Sequence, residues 1–406
     1  MLKKMKKFMG IMLVMMISTM MLSFHVTAEE PEEHTIAVAV ATYSADFITM
    51  QDYYENYLGE HLNINFIFSE ELGMDVANIM NFVENAYSSG AEAIIDYACT
   101  TREDLQPIAA RCDELGMYLV TWMDQDDSLG GFEYGVGSTG IDYVDSGEVY
   151  KNVIEEVIGD GENHSMVLCT MAARYGNVDN MTSSTGCMEA FQEIYGLEFE
   201  DEIANLIMAD SVTEIATGNE NVKITIFPSY SGDDLKEVLK GGDYDTVVSV
   251  GPIYLRFESA INEMEKALDK DIKLISYTSI SDSTTNSFHT LDEKGNPSLD
   301  AAILSNQSRL ITNAVLAINA VNGDADAVKM DGGAGYYQSY VWPCTSPEDY
   351  DFLSVLEQDE STYVYTIDEV KQMIKFYNED VTPEVIQEWL EKAQLESTLE
   401  RRGLSR

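Results

Sequence analysis

The chain has 406 residues, 45% of them hydrophobic, with 71 acidic against 24 basic side chains and a formal charge of −47. That length and apolar content allow more than one buried core, so two domains are expected. A surface this acidic disfavours nucleic acid and anionic lipid as partners and says nothing about fold.

The first 28 residues read as an export leader. Lys3, Lys4, Lys6 and Lys7 form a positive start, FMGIMLVMMISTMMLSF (8–24) is apolar, and Val26-Thr27-Ala28 is a small-residue cleavage pattern. The apolar run is short for a membrane span and contains Ser18, Thr19 and Ser23. Removing this leader, which carries four lysines and no acids, takes the formal charge from −47 to −51. No cysteine lies near its end, so no lipid-attachment site is encoded there. Export separates the chain from cytosolic ATP and NAD, which points to binding something extracellular.

HTIAVAVA (34–41), INFIF (64–68), EAIIDYA (92–98) and YLVTWM (118–123) are short, apolar and β-rich, and predict buried strands. Between them, 75–87 places Val76, Ile79, Met80, Val83 and Tyr87 at helical spacing, with Gly90 following as a stop, and 104–116 is a second helix ending in glycine. Strands alternating with helices in this rhythm predict a parallel sheet covered on both faces. After a glycine-rich break (128–140) the rhythm restarts: helices at 143–158, 181–195, 232–240 and 253–268 alternate with strands at 165–171, 222–227, 244–251 and 272–278. A strand at 301–305, a helix at 309–323 and a strand at 336–342 complete the two lobes, with chain crossings as hinges. The tail reads as a packed appendage of two helices, with Pro383 opening the second and Arg401, Arg402 and Arg406 as its basic cluster.

Other signals carry less. GVGSTG (135–140) matches G-x-G-x-x-G, with Asp160 about twenty residues on, but no strong strand precedes it and it reads as a flexible crossing and strand entry. DQDD (124–127) and DADAVKMDGG (324–333) lack the ligand spacing of an EF-hand loop. The five histidines are scattered and there is no nucleophile elbow, so neither metal nor cofactor is expected. Cys99 with Cys112 and Cys169 with Cys187 could each bridge a strand to its neighbouring helix, leaving Cys344; alternatively all five are buried thiols.

The ordered set IAVAVATYSADF, GAEAIIDYA, YLVTWMD, VGSTGIDYVDSG, DTVVSVGPIYLRFESAINEME and IKLISYT resembles the type I periplasmic-binding-protein family, in particular the ribose-binding-like solute receptors of ABC sugar importers. The resemblance covers about residues 34–345. It implies an α/β fold of two Rossmann-like lobes with parallel central sheets joined by a multi-crossing hinge. The corresponding boundaries are a signal peptide at 1–28, lobe 1 at 34–126 plus 279–335, lobe 2 at 127–278 plus 336–345, and a helical extension at 346–406. In that family a ligand sits between the lobes, which close on it.

Carried over residue by residue, the resemblance implies ligand contacts from Tyr43 and Phe47 after the first strand and from Trp122 and Asp124 at the first crossing. Further contacts fall on Asn180 and Ser183 near a helix start that lacks the family's arginine, on Thr278, and on Asn306 or Gln307. Gly251 and Pro252 stand in place of an Asn-Asp pair. Tyr254 and Tyr277 add flat amphipathic surfaces suited to sugar rings or nucleobases, although Tyr277 is read as core. The resulting expectation is a monomeric, non-catalytic receptor for a sugar-like solute, delivering it to an ABC permease. Two alternatives stay open: an extracellular sensor presenting its ligand to a membrane receptor or kinase, and a secreted hydrolase using paired carboxylates, which 71 acids make uninformative as a sequence signal.

Overall fold

The computed structural model describes residues 31–43, 45–99, 101–122, 129–161, 163–292, 294–357 and 359–406. The leader at 1–28 and Asp124 lie outside the described residues. From His34 onward the chain forms one compact unit built on two sheets.

The first sheet takes β1 (His34–Val40), β2 (Ile64–Phe68), β3 (Ala93–Tyr97), β4 (Tyr118–Thr121), β5 (Gly135–Ile141) and, much later, β12 (Gly335–Ser339), in the spatial order β12-β5-β4-β3-β1-β2. The second takes β6 (His164–Cys169), β7 (Thr213–Ile215), β8 (Val222–Phe227), β9 (Thr246–Ser249), β10 (Lys273–Ser279), β11 (Ala301–Ser305) and β13 (Val341–Cys344), in the order β13-β11-β10-β9-β6-β8-β7. The core of the second sheet, β8-β6-β9-β10-β11, repeats the arrangement β2-β1-β3-β4-β5 of the first. Every pairing inside these repeats is parallel; β7 and β13 are the antiparallel edges. The central strands are buried over nearly their whole length, as expected where helices cover both faces.

The helices open on side-chain caps that the sequence supplies. Asp75 accepts from the Ala77 N–H ahead of Val76–Ser88, Asp142 from Asp145 ahead of Tyr143–Val157, and Asn177 from Asn180 ahead of Val178–Tyr195. Each satisfies a backbone donor that the first helical turn would leave unpaired.

The chain passes between the sheets three times, and all three passages differ from the sequence boundaries. β5 lies wholly in the first sheet, between β4 and β12, so the first passage falls at Asp142 and not at 126/127. Its alternation was hidden because small residues replace the usual apolar ones: a Cβ on Gly137 would stand 2.8 Å from the Gly335 carbonyl oxygen and 3.2 Å from Leu316. Likewise β11 pairs with β10 in the second sheet, which moves the second passage from 278/279 to Asn306–Gln307. The predicted strand 336–342 is two strands in different sheets, split at Tyr340, which moves the third passage from 335/336 to Tyr340. The three passages bond to one another. Asp142 N–H donates to the Ser339 carbonyl at 2.8 Å, Asn306 Nδ2 to the Tyr340 carbonyl at 2.9 Å, and Val341 N–H to Asp145 Oδ2 at 3.2 Å.

The tail continues the core and ties both sheets. Gln387, on the helix Pro383–Glu391, pairs its amide with both backbone groups of Gln338 on the edge strand β12, at 3.0 and 3.1 Å. Nearby, Ala393 accepts from Trp342 Nε1 of β13 at 2.8 Å. After Thr366 the tail holds three short helices, Ile367–Lys371, Pro383–Glu391 and Leu395–Arg402, where the sequence predicted two, and the helix Pro347–Ser354 precedes them. All five cysteines are buried thiols, and none is in a disulfide. Among the described residues no helix is long and apolar enough to cross a membrane.

Candidate functional site

In a doubly wound sheet, ligands sit outside the carboxyl ends of the strands, where the strand order reverses. Here the carboxyl ends of both sheets face one cavity of about 310 Å³. Ala41, Thr42 and Phe47 follow β1, Tyr97 ends β3, Trp122 follows β4 and Ile141 ends β5. The opposite wall is Met171 and Ala172 after β6, Val250–Pro252 after β9, Thr278–Ile280 at the end of β10, and Ser305–Gln307 at the end of β11. Asn177, Asp179, Asn180 and Ser183 come from the start of the helix Val178–Tyr195, and Glu357 brings the tail to the rim.

Of the residues inferred by resemblance, Phe47, Trp122, Asn180, Ser183, Thr278, Asn306 and Gln307 line this cavity, as do Gly251, Pro252 and Tyr277. Tyr277 was read as core; it is half-buried and forms part of the wall. Two residues fall elsewhere. Tyr43 donates its hydroxyl to the Ser69 carbonyl at 2.7 Å and its backbone N–H to Glu71 at 2.8 Å, tying the loop after β1 to the end of β2. Tyr254 is buried behind the wall, its hydroxyl 3.0 Å from Thr284 Oγ1, which in turn lies 3.3 Å from Thr278 Oγ1. It supports the β10 loop without facing the cavity.

Three rings make the apolar side. Trp122 meets Tyr97 edge-on with centroids 5.1 Å apart, and Phe47 lies 5.8 Å from each of them. Such mutual edge contacts fix ring orientation in a way isolated rings cannot.

The polar side is unusual in what it leaves unmet. Tyr53 OH, Trp122 Nε1, Ser279 Oγ and Gln307 Oε1 are all buried in residues of the wall, and none has a hydrogen-bond partner among the described residues. A buried polar atom without a partner costs about 1–3 kcal/mol. Other wall groups are committed to the protein: Asn306 bonds the Tyr340 carbonyl and the Ser308 N–H, and Asn180 Oδ1 accepts from the Ala172 N–H at 3.2 Å.

Arg309 is the residue the sequence reading missed. It projects from the helix Ser308–Asn319, which packs on the first sheet, and grips Asp179 of the second lobe at two points, Nη1–Oδ2 2.9 Å and Nη2–Oδ1 3.1 Å. Its remaining donors go to the Thr139 carbonyl at 3.0 and 3.2 Å and to the Trp122 carbonyl, while its Cζ lies 5.0 Å from the Trp122 ring centroid. An arginine of the first lobe thus reaches the start of the helix Val178–Tyr195 in the second. A lone cation in the apolar run RLITNAVLAINAV was the available signal, since an arginine is almost never buried without a partner.

Neither protein-family models nor curated protein sequences give a match to the chain. Solved structures do. An ABC-transporter solute-binding protein from Bacillus halodurans with bound myo-inositol superposes with a TM-score of 0.56 at 14% identity, over 80% of this chain and 99% of that one. A periplasmic solute-binding protein from Actinobacillus succinogenes with bound D-allose gives 0.57 at 14% identity, over 79% and 99%. The chain has the type I periplasmic-binding-protein fold. A glucose-galactose binding protein from Geobacillus stearothermophilus shares the same fold with a TM-score of 0.54 at 8% identity, over 78% and 99%. Within this fold the duplicated sheet order accounts for the cavity's place, because both switch points open onto the same cleft.

Proposed function

We propose that this protein is a non-catalytic extracytoplasmic receptor that captures a small polyhydroxylated solute, a sugar or cyclitol, between its lobes and hands it to an ABC permease. The observation that carries this reading is the wall of the cavity: an aromatic corner of Phe47, Tyr97 and Trp122 beside four unpartnered polar atoms. Trp122 Nε1 can only donate, Gln307 Oε1 can only accept, and the Tyr53 and Ser279 hydroxyls can do either. A ring with an apolar face and a rim of hydroxyls meets both demands at once. The bound myo-inositol and D-allose of the two structural neighbours belong to this class of compound. Of the carboxylates that line the cavity among the described residues, Asp179 and Glu357, the first is engaged by Arg309, which weighs against a free carboxylate pair and so against the hydrolase alternative.

Ligand would stabilise the closed arrangement over an open one, with the passages at Asp142, Asn306–Gln307 and Tyr340 as hinge. The test is a thermal-shift screen against aldoses, ketoses, cyclitols, nucleosides and amino acids, followed by calorimetry. A ligand near one hundred times its dissociation constant should add about 2.7 kcal/mol of stability, a rise of a few degrees in a chain of this size. The rise should be lost in Phe47→Ala and Trp122→Ala. A screen in which only amino acids or nucleosides stabilise would overturn the polyol assignment, and no stabiliser in any class would overturn the receptor reading.

A further inference from the structure

At the opposite end of the second lobe, three carboxylates from three separate segments converge. Glu265 is in the last turn of the helix Tyr254–Leu268, Asp271 is in the turn entering β10, and Asp292 is in the loop leading toward β11. Each offers one carboxylate oxygen, and the three lie within 4.8 Å of one another. On a chain with 71 acids such a cluster alone decides nothing. Glu265 is what sets it apart. The residue is 1% exposed; its Oε1 accepts from the Ile272 N–H at 2.9 Å, while Oε2 is buried with no hydrogen-bond partner among the described residues.

The surroundings orient the carboxylates, and Lys294, close enough to feel Glu265 and Asp271, makes its ion pair with Asp269. Asp292 Oδ1 accepts from the N–H groups of Lys294 and Asn296 at 2.7 and 2.9 Å, and Asp271 Oδ1 accepts from Asn296 Nδ2 at 2.7 Å, so the loop orients both carboxylates. The neighbouring lysines are turned elsewhere: Lys294 to Asp269, Lys270 to Asp243 and Lys273 to the Val157 carbonyl.

We propose that Glu265, Asp271 and Asp292 form a divalent-cation site of the calcium class. The donors are all hard oxygens, and two oxygens each about 2.4 Å from one Ca²⁺ lie at most about 4.8 Å apart. Asp271 is exposed, which leaves room for the waters that complete a coordination shell of six to eight. The ion would pin the end of the helix Tyr254–Leu268 to the segments that feed β10 and β11. Those strands carry Thr278, Ser279 and Ser305 at their other ends, about 20 Å away at roughly 3.3 Å per residue, so the ion's role is to brace the cavity wall and not to touch the solute.

The experiment is calorimetric titration of the EDTA-stripped protein with CaCl₂ and with MgCl₂ at matched ionic strength, with thermal unfolding in parallel. The expected result is one calcium per chain, a raised unfolding midpoint, and magnesium binding at least tenfold weaker. Glu265→Gln should weaken calcium binding at least tenfold; Asp271→Asn, an exposed change that leaves the core untouched, should weaken it as well, and serves if the first variant does not fold. The proposal is overturned if no stoichiometric calcium heat is seen, if magnesium binds equally well, or if both variants keep the wild-type calcium response, which would mark diffuse screening of an acidic surface.

Discussion

Arg309 of the first lobe and Asp179 of the second form a two-point ion pair across the cleft, with only 5% of the arginine side chain and 20% of the aspartate exposed. Burying two charges is repaid only when both are matched, so removing one partner costs more than the pair contributes. Arg309→Met should destabilise the protein by about 3–5 kcal/mol, because Asp179 and the Thr139 and Trp122 carbonyls lose their donors together. The double variant Arg309→Met with Asp179→Leu should recover a large part of that loss. Urea unfolding of the three proteins checks this, and equal losses in the single and double variants would show that the ion pair is not the source.

Met171 and Gly251 set the shape of the second lobe's wall. Met171 holds a left-handed backbone, φ 54°, and its sulfur fills the space a side chain at 251 would need: a Cβ there would stand 2.3 Å from Sδ. Because the methionine tip is flexible, Gly251→Ala should lower stability by only about 1–3 kcal/mol as Met171 is displaced. The displaced thioether then enters the cavity, and solute affinity should fall about tenfold or more. Calorimetry with the solute found by screening decides it; unchanged affinity would mean that Met171 has another place to go.

These two cases show why the fold was more legible than the site. β1 to β4, β6 and β8 to β11 are runs of β-branched and apolar residues between helical stretches, and nearest-neighbour chemistry suffices to read them. β5 is built of Gly, Ser and Thr because Gly335 and Leu316 crowd it, so its apolar pattern exists only once β12 has returned to the first sheet. The same holds for chemistry across the cleft. Phe47 and Trp122 follow strands and Thr278 lies near the end of one, so the resemblance could carry them over from local segments. Arg309 and Asp179 are 130 positions apart, and nothing local ties either to the other. Tyr254 misled for a related reason: helix geometry puts it at the right strand end, but its hydroxyl turns inward to Thr284.

Asp96, next to last in β3, is fully buried, with Oδ1 accepting from the Ala98 and Cys99 N–H groups at 2.8 and 3.0 Å and Oδ2 unpartnered among the described residues. Burial pushes its carboxyl up to about 6 from the usual 3.8, with the two N–H bonds opposing. The folded state therefore holds this proton more tightly than the unfolded chain does between about pH 4 and 6, so the group's contribution falls as pH rises through that window and is most unfavourable above about 6. Two pKa units correspond to roughly 3 kcal/mol. Asp96→Asn keeps an acceptor for both N–H groups and removes the charge. It should be more stable than wild type by about 2–3 kcal/mol at pH 7.5 and nearly equal to it at pH 4. Denaturation curves at the two pH values test this, and a gap that did not close on acidification would rule out titration of Asp96 as the cause.

The tail's basic cluster is spent inside the protein. Glu369 accepts from Arg401 Nη1 at 2.9 Å, from both terminal nitrogens of Arg402, and from the Thr366 N–H at 2.8 Å. The same guanidinium groups donate to the Tyr363 and Val364 carbonyls. This clamp holds Tyr363 in edge contact with Tyr53 and Tyr57, at 5.2 and 5.1 Å between centroids, and Tyr53 is part of the cavity wall. Glu369→Gln leaves two largely buried cations without their shared anion, a loss of about 2–4 kcal/mol. Because the clamp lies behind Tyr53, the variant should also weaken solute binding severalfold, whereas Arg406→Met, which removes the contacts with Asp349 and the Pro343 carbonyl, should leave binding unchanged. Unfolding and titration of both variants separate the two roles: a stability loss in Glu369→Gln with full affinity would confine the tail to bracing the fold.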